Sequence, residues 1–154
     1  NDALLGMGPF SPDRAGALPI AGLVKLAYSG KYTEKELLEK LSRKSGLLAY
    51  IGQNDLREIT KMIDNGDKKA DLYFGAMVYQ IAKEIGAAEA VLKGKFDGII
   101  LTGGMAKSEK LVDLLKRYIS FLGEVIIVPG EFELEALAAG AMRVLEKKEN
   151  PQDY

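Results

Sequence analysis

The chain has 154 residues, of which 47% are hydrophobic and 28% charged, so the composition is that of a globular domain and excludes a disordered segment. The 21 basic residues nearly balance the 22 acidic ones, which excludes a strongly basic surface for nucleic acid. Cysteine and histidine are both absent, which excludes disulfides, thiolate or imidazole metal sites and histidine-dependent nucleophiles from this chain. Carboxylates, arginine, lysine, hydroxyls and backbone amides remain for any chemistry.

The chain also lacks the marks of a membrane or secreted protein. No apolar run reaches the ~18 residues that a membrane-spanning helix needs, and the sequence starts at Asn1 without a positively charged signal region. We therefore expect a cytoplasmic protein without membrane or nucleic-acid partners. Because the first residue is not methionine, we also expect the chain to be part of a longer protein.

The first third of the chain alternates between loop and short helices. Glycine and proline are frequent over residues 1–19, which predicts a loop there. Residues 20–28 form an apolar stretch between Pro19 and Gly30, which predicts a buried helix. Thr33 and Glu36 have the spacing of a capping box and predict that a second helix begins there.

Residues 46–66 contain one ambiguous segment and one clear helix start. Residues 46–52 are apolar and bounded by glycine, which fits either a short extended segment or a buried loop. Asp55 and Glu58 then have capping-box spacing, and Gly66 is suited to the helix end.

A long helix is predicted from Asp67 to Gly94. The residues that recur at about helical spacing and predict this helix are Leu72, Ala76, Tyr79, Ala82 or Lys83, Gly86, Ala90, Val91 and Leu92. Gly75 and Gly86 lie inside this helix, where glycine costs up to ~1 kcal/mol relative to alanine. We therefore expect a neighbouring backbone to pack closely against them.

The last third repeats one pattern, in which an apolar strand, a glycine turn and a helix follow each other. Residues 97–101 and 125–128 are the strands, and helices follow over 111–118 and 134–145. Two strands joined by a helix imply a parallel pair and an α/β fold in which helices predominate. Two strands are too few for a parallel sheet buried on both faces, so part of the domain is expected to lie elsewhere. The polar tail from Lys147 to Tyr154 is expected to fray.

Several residues at the predicted strand ends and loops have both a structural and a functional interpretation. The Thr102-Gly103-Gly104 turn needs glycine for geometry, but its amides also suit phosphate. Glu131 and Glu133 either stabilise the dipole of the last helix or hold Mg²⁺. Arg14 is either a solvated loop residue or a group that binds a carboxylate or phosphoryl group.

Taken in order, these segments resemble the butyrate kinases and, more distantly, the acetate kinases of the superfamily that includes actin and the sugar kinases. The resemblance covers almost the whole chain. Its motifs are Gly8-Pro9-Phe10-Ser11-Pro12-Asp13-Arg14-Ala15-Gly16, Gly46-Leu47-Leu48-Ala49-Tyr50-Ile51-Gly52 with Asn54-Asp55-Leu56-Arg57-Glu58, Leu101-Thr102-Gly103-Gly104, and Val128-Pro129-Gly130-Glu131-Phe132-Glu133-Leu134-Glu135-Ala136-Leu137-Ala138.

The resemblance implies a fold and a set of roles. The fold is the helix-rich C-terminal part of an actin-like, ribonuclease H-like ATPase domain with a parallel β-α-β-α unit. Residues 1–154 then form a C-terminal nucleotide-binding domain whose N-terminal partner is absent. The implied roles are catalysis for Arg14 and Glu133, Mg²⁺ binding for Glu133 or Glu131, and nucleotide binding for Asp55, Leu56, Arg57, Gly103, Gly104 and Met105. Acetate kinases carry adjacent glutamates where this chain has Phe132-Glu133, so the choice between Glu131 and Glu133 stays open.

The function implied is phosphoryl exchange between ATP and butyrate or a branched short-chain fatty acid, with Mg²⁺, in a homo-oligomeric enzyme. The chain alone is expected to be inactive, because most of the acyl pocket belongs to the other domain. Two alternatives remain at this point. One is a sugar kinase or nucleotide-sensing regulator of the same superfamily, and the other is a non-catalytic helical module that binds a partner.

Overall fold

The structure is a computed structural model that describes residues 7–151. The parts of the predicted loop and tail that fall on residues 1–6 and 152–154 lie outside the described residues. Within residues 7–151 the elements run α1 Ile20–Ala27, α2 Glu34–Arg43, α3 Gly46–Ile51, α4 Leu56–Asp64, α5 Lys68–Leu92, β1 Ile99–Gly103, α6 Glu109–Ile119, β2 Val125–Pro129 and α7 Glu133–Leu145. A short 3-10 turn, Gly104–Lys107, joins β1 to α6.

The two strands form a parallel pair, which confirms the predicted β-α-β-α unit. The register runs from Ile99 opposite Val125 to Gly103 opposite Pro129. Beyond the last pair, the Gly103 N–H donates to the Gly130 carbonyl at 3.0 Å, and the Gly130 N–H donates back at 3.3 Å. The carboxyl ends of both strands therefore stand side by side, with a helix beginning beyond each.

The core lies where α5 packs against α6, α4 and α3. Side chains from these helices are almost fully removed from water, and Phe10 of the N-terminal loop joins them. The most deeply buried large side chains are Phe74, Leu47, Ile59, Met77, Leu115, Ile119 and Val78. Burying each such side chain contributes roughly 1.5–3 kcal/mol, so this cluster fixes α5 relative to the N-terminal loop and α6.

The predicted long helix is present as α5, but the residues that recur at helical spacing do not all lie on its packed face. Leu72 and Tyr79, which belong to that repeat, are 66% and 52% exposed, while Phe74 and Met77 are buried. The helix is apolar on more than one side, so its periodicity did not determine which side meets α6. The prediction of close backbone packing at Gly75 and Gly86 was wrong, since a Cβ added at either position meets no described atom within 4 Å.

The segment 46–52 is helical, so both the extended and the loop interpretations were wrong. Residues Gly46–Ile51 form α3, which ends at Gly52 in the left-handed conformation with φ 75°. The first amides of α3 donate to loop carbonyls, from Leu47 to Ser11 at 3.2 Å and from Leu48 to Pro12 at 2.9 Å. Because this cap comes from a distant part of the chain, the local pattern of α3 did not reveal it.

The predicted capping boxes have different outcomes. At α2 the box is present, because the Thr33 side chain accepts from the Glu36 N–H and Glu36 accepts from the Thr33 N–H. At α4, Asp55 caps the helix by accepting from the Arg57 N–H. Glu58 does not complete a box there, because its carboxylate pairs with Lys61 at 2.8 Å.

Large apolar side chains remain exposed on α1, the sheet and α7. Ile20 is 80% exposed, Ile100 63% and Leu134 79%, and no residue of α1 or α7 is buried. None of the helices in the described part of the chain is both long and apolar enough to span a membrane.

Candidate functional site

A cleft of about 1620 Å³ lies between the N-terminal loop, the start of α4, the 3-10 turn and α6. Residues from well-separated parts of the sequence meet there. The residues of the predicted site that line it are Arg14, Asp55, Leu56, Arg57, Gly104, Met105 and Glu131. Gly103 adjoins this lining through the peptide it shares with Gly104. Seven of the nine residues singled out from the sequence are thus brought to one cavity.

Arg14 lies in a loop with a fixed backbone. The Ser11 N–H donates to the Arg14 carbonyl at 3.1 Å, and the Ser11 hydroxyl oxygen accepts from the Arg14 N–H at 3.0 Å. These bonds close a tight turn at Ser11–Arg14 and display Arg14, which is exposed, at the wall of the cleft. A permanently charged guanidinium here suits a ligand that carries negative charge.

Asp55 and Arg57 form a bidentate ion pair at the N-terminus of α4. The Arg57 Nε and Nη2 atoms donate to Asp55 Oδ1 and Oδ2 at 3.0 and 2.6 Å. The Arg57 side-chain and backbone hydrogen bonds lower the pKa of the Asp55 carboxyl to about 2, so Asp55 is ionised at any physiological pH. The Arg57 side chain is 85% exposed, so the pair lies at the open mouth of the cleft.

The turn after β1 contains two glycines, Gly103 and Gly104, which have no side chains. Gly103 has φ 84°, a conformation that favours glycine, and the 3-10 turn begins at the next residue. A Cβ added at Gly104 would lie 3.1 Å from the Glu131 Oε1 atom, which is the one described atom near that position. The Glu131 carboxylate therefore stands directly over the glycine turn.

Glu133 is placed differently from Glu131. It begins α7, is exposed, and does not line the cleft. Among residues 7–151 no three acidic side chains lie close enough together to hold a metal ion by themselves. Mg²⁺ is commonly held by one or two carboxylates together with substrate phosphates and water, and the position of Glu131 fits that kind of site.

Further charged side chains line the cleft that were not predicted from the sequence. They are Asp13, Asp71, Lys107, Glu109, Lys110, Asp113 and Arg117. On α6, Lys110, Asp113 and Arg117 are spaced i, i+3, i+7, which places them on one helical face and was the signal available in the sequence. Lys110 is held by Asp64 of α4 at 2.6 Å, so α4 and α6 are joined across the cleft wall.

The order of these segments and their convergence on one cleft agree with a comparison of the sequence with protein families. Residues 4–133 match the model of the acetokinase family. The chain belongs to the acetokinase family. Because the match covers most of the sequence, it includes the Arg14 loop, the Asp55 and Arg57 pair and the glycine turn. The acyl kinase resemblance is thereby confirmed at the level of the family.

Solved structures show the same fold. Acetate kinase from Porphyromonas gingivalis matches with a TM-score of 0.79 and 24% identity over 91% of this chain and 41% of that chain. Acetate kinase from Entamoeba histolytica matches with a TM-score of 0.74 and 22% identity, over 88% and 43%. A propionate kinase from Francisella tularensis matches with a TM-score of 0.72 and 20% identity, over 84% and 39%. The predicted fold, a helix-rich part of an actin-like domain with parallel strands, is confirmed, and the chain spans about two fifths of the length of these proteins.

Proposed function

We propose that the chain is the C-terminal, nucleotide-binding domain of an ATP-dependent acyl kinase. In the complete polypeptide, the enzyme transfers a phosphoryl group between ATP and a short-chain carboxylate, with butyrate or a branched relative as the preferred acceptor. The observation that carries the proposal is the single cleft where Arg14, the Asp55 and Arg57 pair, the glycine turn and Glu131 meet. Membership of the acetokinase family supports the reaction class.

Each part of the cleft suits one part of the nucleotide. Asp55 and Arg57 provide an acceptor and a donor at the mouth, where a ribose or base can bind. Gly104 has no side chain of its own to keep a flat ring away from the backbone, and Leu56 and Met105 supply apolar contact for such a ring. Arg14 lies in the wall formed by the loop, where its charge can stabilise the phosphoryl group in transfer.

The reaction needs positioning and charge stabilisation and no covalent intermediate on the protein. A carboxylate oxygen of the acid forms a bond to the γ-phosphorus as the bond to the β-phosphate oxygen breaks, which leaves ADP and an acyl phosphate. The donors available here, an arginine and backbone amides, are of the kind that stabilise such a transfer. No histidine need be supplied by this chain, which has none.

Glu131 is the better candidate for the residue linked to Mg²⁺. Its carboxylate lines the cleft, whereas Glu133 does not. Mg²⁺ bound with the nucleotide supplies positive charge that neutralises the phosphate oxygens. We propose that Glu131 orients that ion directly or through water. Glu133 instead stabilises the helix dipole at the N-terminus of α7.

We also propose a domain composition, an oligomeric state and a location for the complete enzyme. The partner domain supplies the rest of the acyl pocket, the enzyme is a cytoplasmic homo-oligomer, and it binds neither nucleic acid nor membrane. The exposed apolar side chains of α1, the sheet and α7 support the presence of further protein contacts in the complete polypeptide.

A panel of acceptors tests this function in the complete polypeptide. With Mg²⁺-ATP, we expect acyl phosphate from butyrate and isobutyrate with a higher kcat/KM than from acetate, and no phosphorylation of hexoses. A higher kcat/KM for acetate than for butyrate would refute only the proposed preference for butyrate, and not the proposed reaction class. Phosphorylation of a hexose, or no phosphoryl transfer to any carboxylate, would refute the acyl kinase proposal.

A further inference from the structure

The loop that carries Arg14 is closed at its base. The Ala17 N–H donates to the Gly8 carbonyl at 3.0 Å, which joins the two ends of the loop. Inside it, the Ser11 hydroxyl accepts from the Arg14 N–H at 3.0 Å and donates to Asp13 Oδ1 at 3.2 Å. These hydrogen bonds tie Arg14 to the rest of the loop, so contacts that fix the loop also position Arg14.

One side of this loop rests on α2 and α3. The Ala15 N–H donates to the Leu41 carbonyl at 2.9 Å, and the Ser45 N–H donates to the Asp13 carbonyl at 2.9 Å. Gly46 permits the close approach, because a Cβ there would overlap the Ser11 carbonyl oxygen. The carbonyl groups of the loop therefore serve as the N-terminal cap of α3.

The other side is held by a side chain from the long helix. Gln80 of α5 lies 70 positions along the chain from Phe10, and its Oε1 atom accepts from the Phe10 N–H at 3.2 Å. Phe10 is 7% exposed and belongs to the core, while Gln80 is half-buried. Leaving a buried N–H without an acceptor lowers the free energy of unfolding. The hydrogen bond therefore fixes the position of the loop relative to α5.

We infer that Gln80 is a positioning residue for phosphoryl transfer, acting on Arg14 through the Phe10 amide; the inference rests on the proposed role of Arg14. Gln80 does not line the cleft. Its effect comes from geometry, because a displacement of about 1 Å in a catalytic group can cost ~10²-fold in rate. Together with the contacts to α3, the hydrogen bond to Gln80 fixes the loop that carries Arg14 at the side of the cleft.

The test compares Gln80→Leu, which removes the acceptor, with Gln80→Glu, which keeps an acceptor oxygen at the same length. In the complete polypeptide we expect Gln80→Leu to lower kcat by at least ~10-fold with KM for ATP changed less than ~3-fold. Gln80→Glu is expected to recover most of that loss. Glu84→Gln, an exposed change on the same helix, is the control.

A double-variant cycle separates positioning from general stability. If Gln80 acts through Arg14, Gln80→Leu should lower kcat far less in an Arg14→Ala background than in the wild type. An equal loss in both backgrounds, or a wild-type kcat in Gln80→Leu, would overturn the inference. If the wild type transfers phosphoryl to no carboxylate, the proposed function fails instead.

Hydrogen exchange at the Phe10 amide gives a readout that does not depend on activity. We expect faster exchange in Gln80→Leu and slow exchange in the wild type and in Gln80→Glu. Unchanged exchange in Gln80→Leu would overturn the inference whatever the enzyme's activity. If that variant does not fold, Gln80→Asn, which shortens the side chain and retains the amide, takes its place with the same expectations.

Discussion

Replacing Arg14 with alanine in the complete polypeptide is expected to lower kcat for acyl phosphate formation by about 10³-fold or more. The transferring phosphoryl group spreads negative charge over its oxygens, and the guanidinium at the cleft wall is the proposed partner for that charge. The loop that bears Arg14 is fixed by its own hydrogen bonds, so the loss reflects missing charge and not a rearranged loop. Initial rates of acyl hydroxamate formation with Mg²⁺-ATP and butyrate measure it.

Two controls make this result specific. Arg43→Ala removes an exposed arginine of α2 that does not line the cleft, so kcat should stay within ~2-fold of the wild type. Arg14→Lys keeps the charge but loses the planar fork and should recover only part of the rate. A kcat for Arg14→Ala within 10-fold of the wild type would contradict the catalytic role, since an arginine in that role is worth ~10³-fold or more.

Replacing Gly46 with alanine is expected to destabilise the fold by at least ~2 kcal/mol. Gly46 has φ 59°, which an L-residue adopts at a cost, and its Cβ would overlap the Ser11 carbonyl oxygen. Relief of that overlap requires α3 to move away from the loop, and the hydrogen bonds from α3 to Ser11 and Pro12 would then be lost. Denaturant unfolding of the wild type and variant measures the difference.

Gly22 provides a matched comparison for Gly46. It lies within α1, and a Cβ there meets no described atom within 4 Å. Gly22→Ala should therefore be neutral or stabilising by up to ~1 kcal/mol, because alanine is the better helix former. Equal stability of Gly46→Ala and the wild type would show that the loop and α3 are not packed as described.

The sequence predicted the parts of the fold that have strong local signals. Apolar runs ended by glycine placed β1 and β2, and the helix between them required parallel pairing, which the register of Ile99 with Val125 bears out. Asp67 was also predicted to begin α5, and its side chain accepts from the Lys69 and Ala70 amides. These features depend on residues close together in sequence.

The features missed by prediction depend on contacts between distant residues. The helix α3 has its cap in the Arg14 loop, and the packed side of α5 was decided by α6, because Phe74 and Leu115 belong to one core cluster. The difference between Glu131 and Glu133 is of the same kind, because only the folded chain shows which carboxylate faces the cleft. A bond such as Phe10 to Gln80 has no sequence signature at all.

The proposed function requires that the cleft bind an adenine nucleotide. A calorimetric titration of the complete polypeptide with Mg²⁺-ADP should show one site per chain, and Arg57→Ala should weaken it by at least ~10-fold. Arg43→Ala should bind ADP as the wild type does. Nucleotide binding that is unaffected by Arg57→Ala, or no binding by the wild type, would contradict the assignment of this cleft as the nucleotide site.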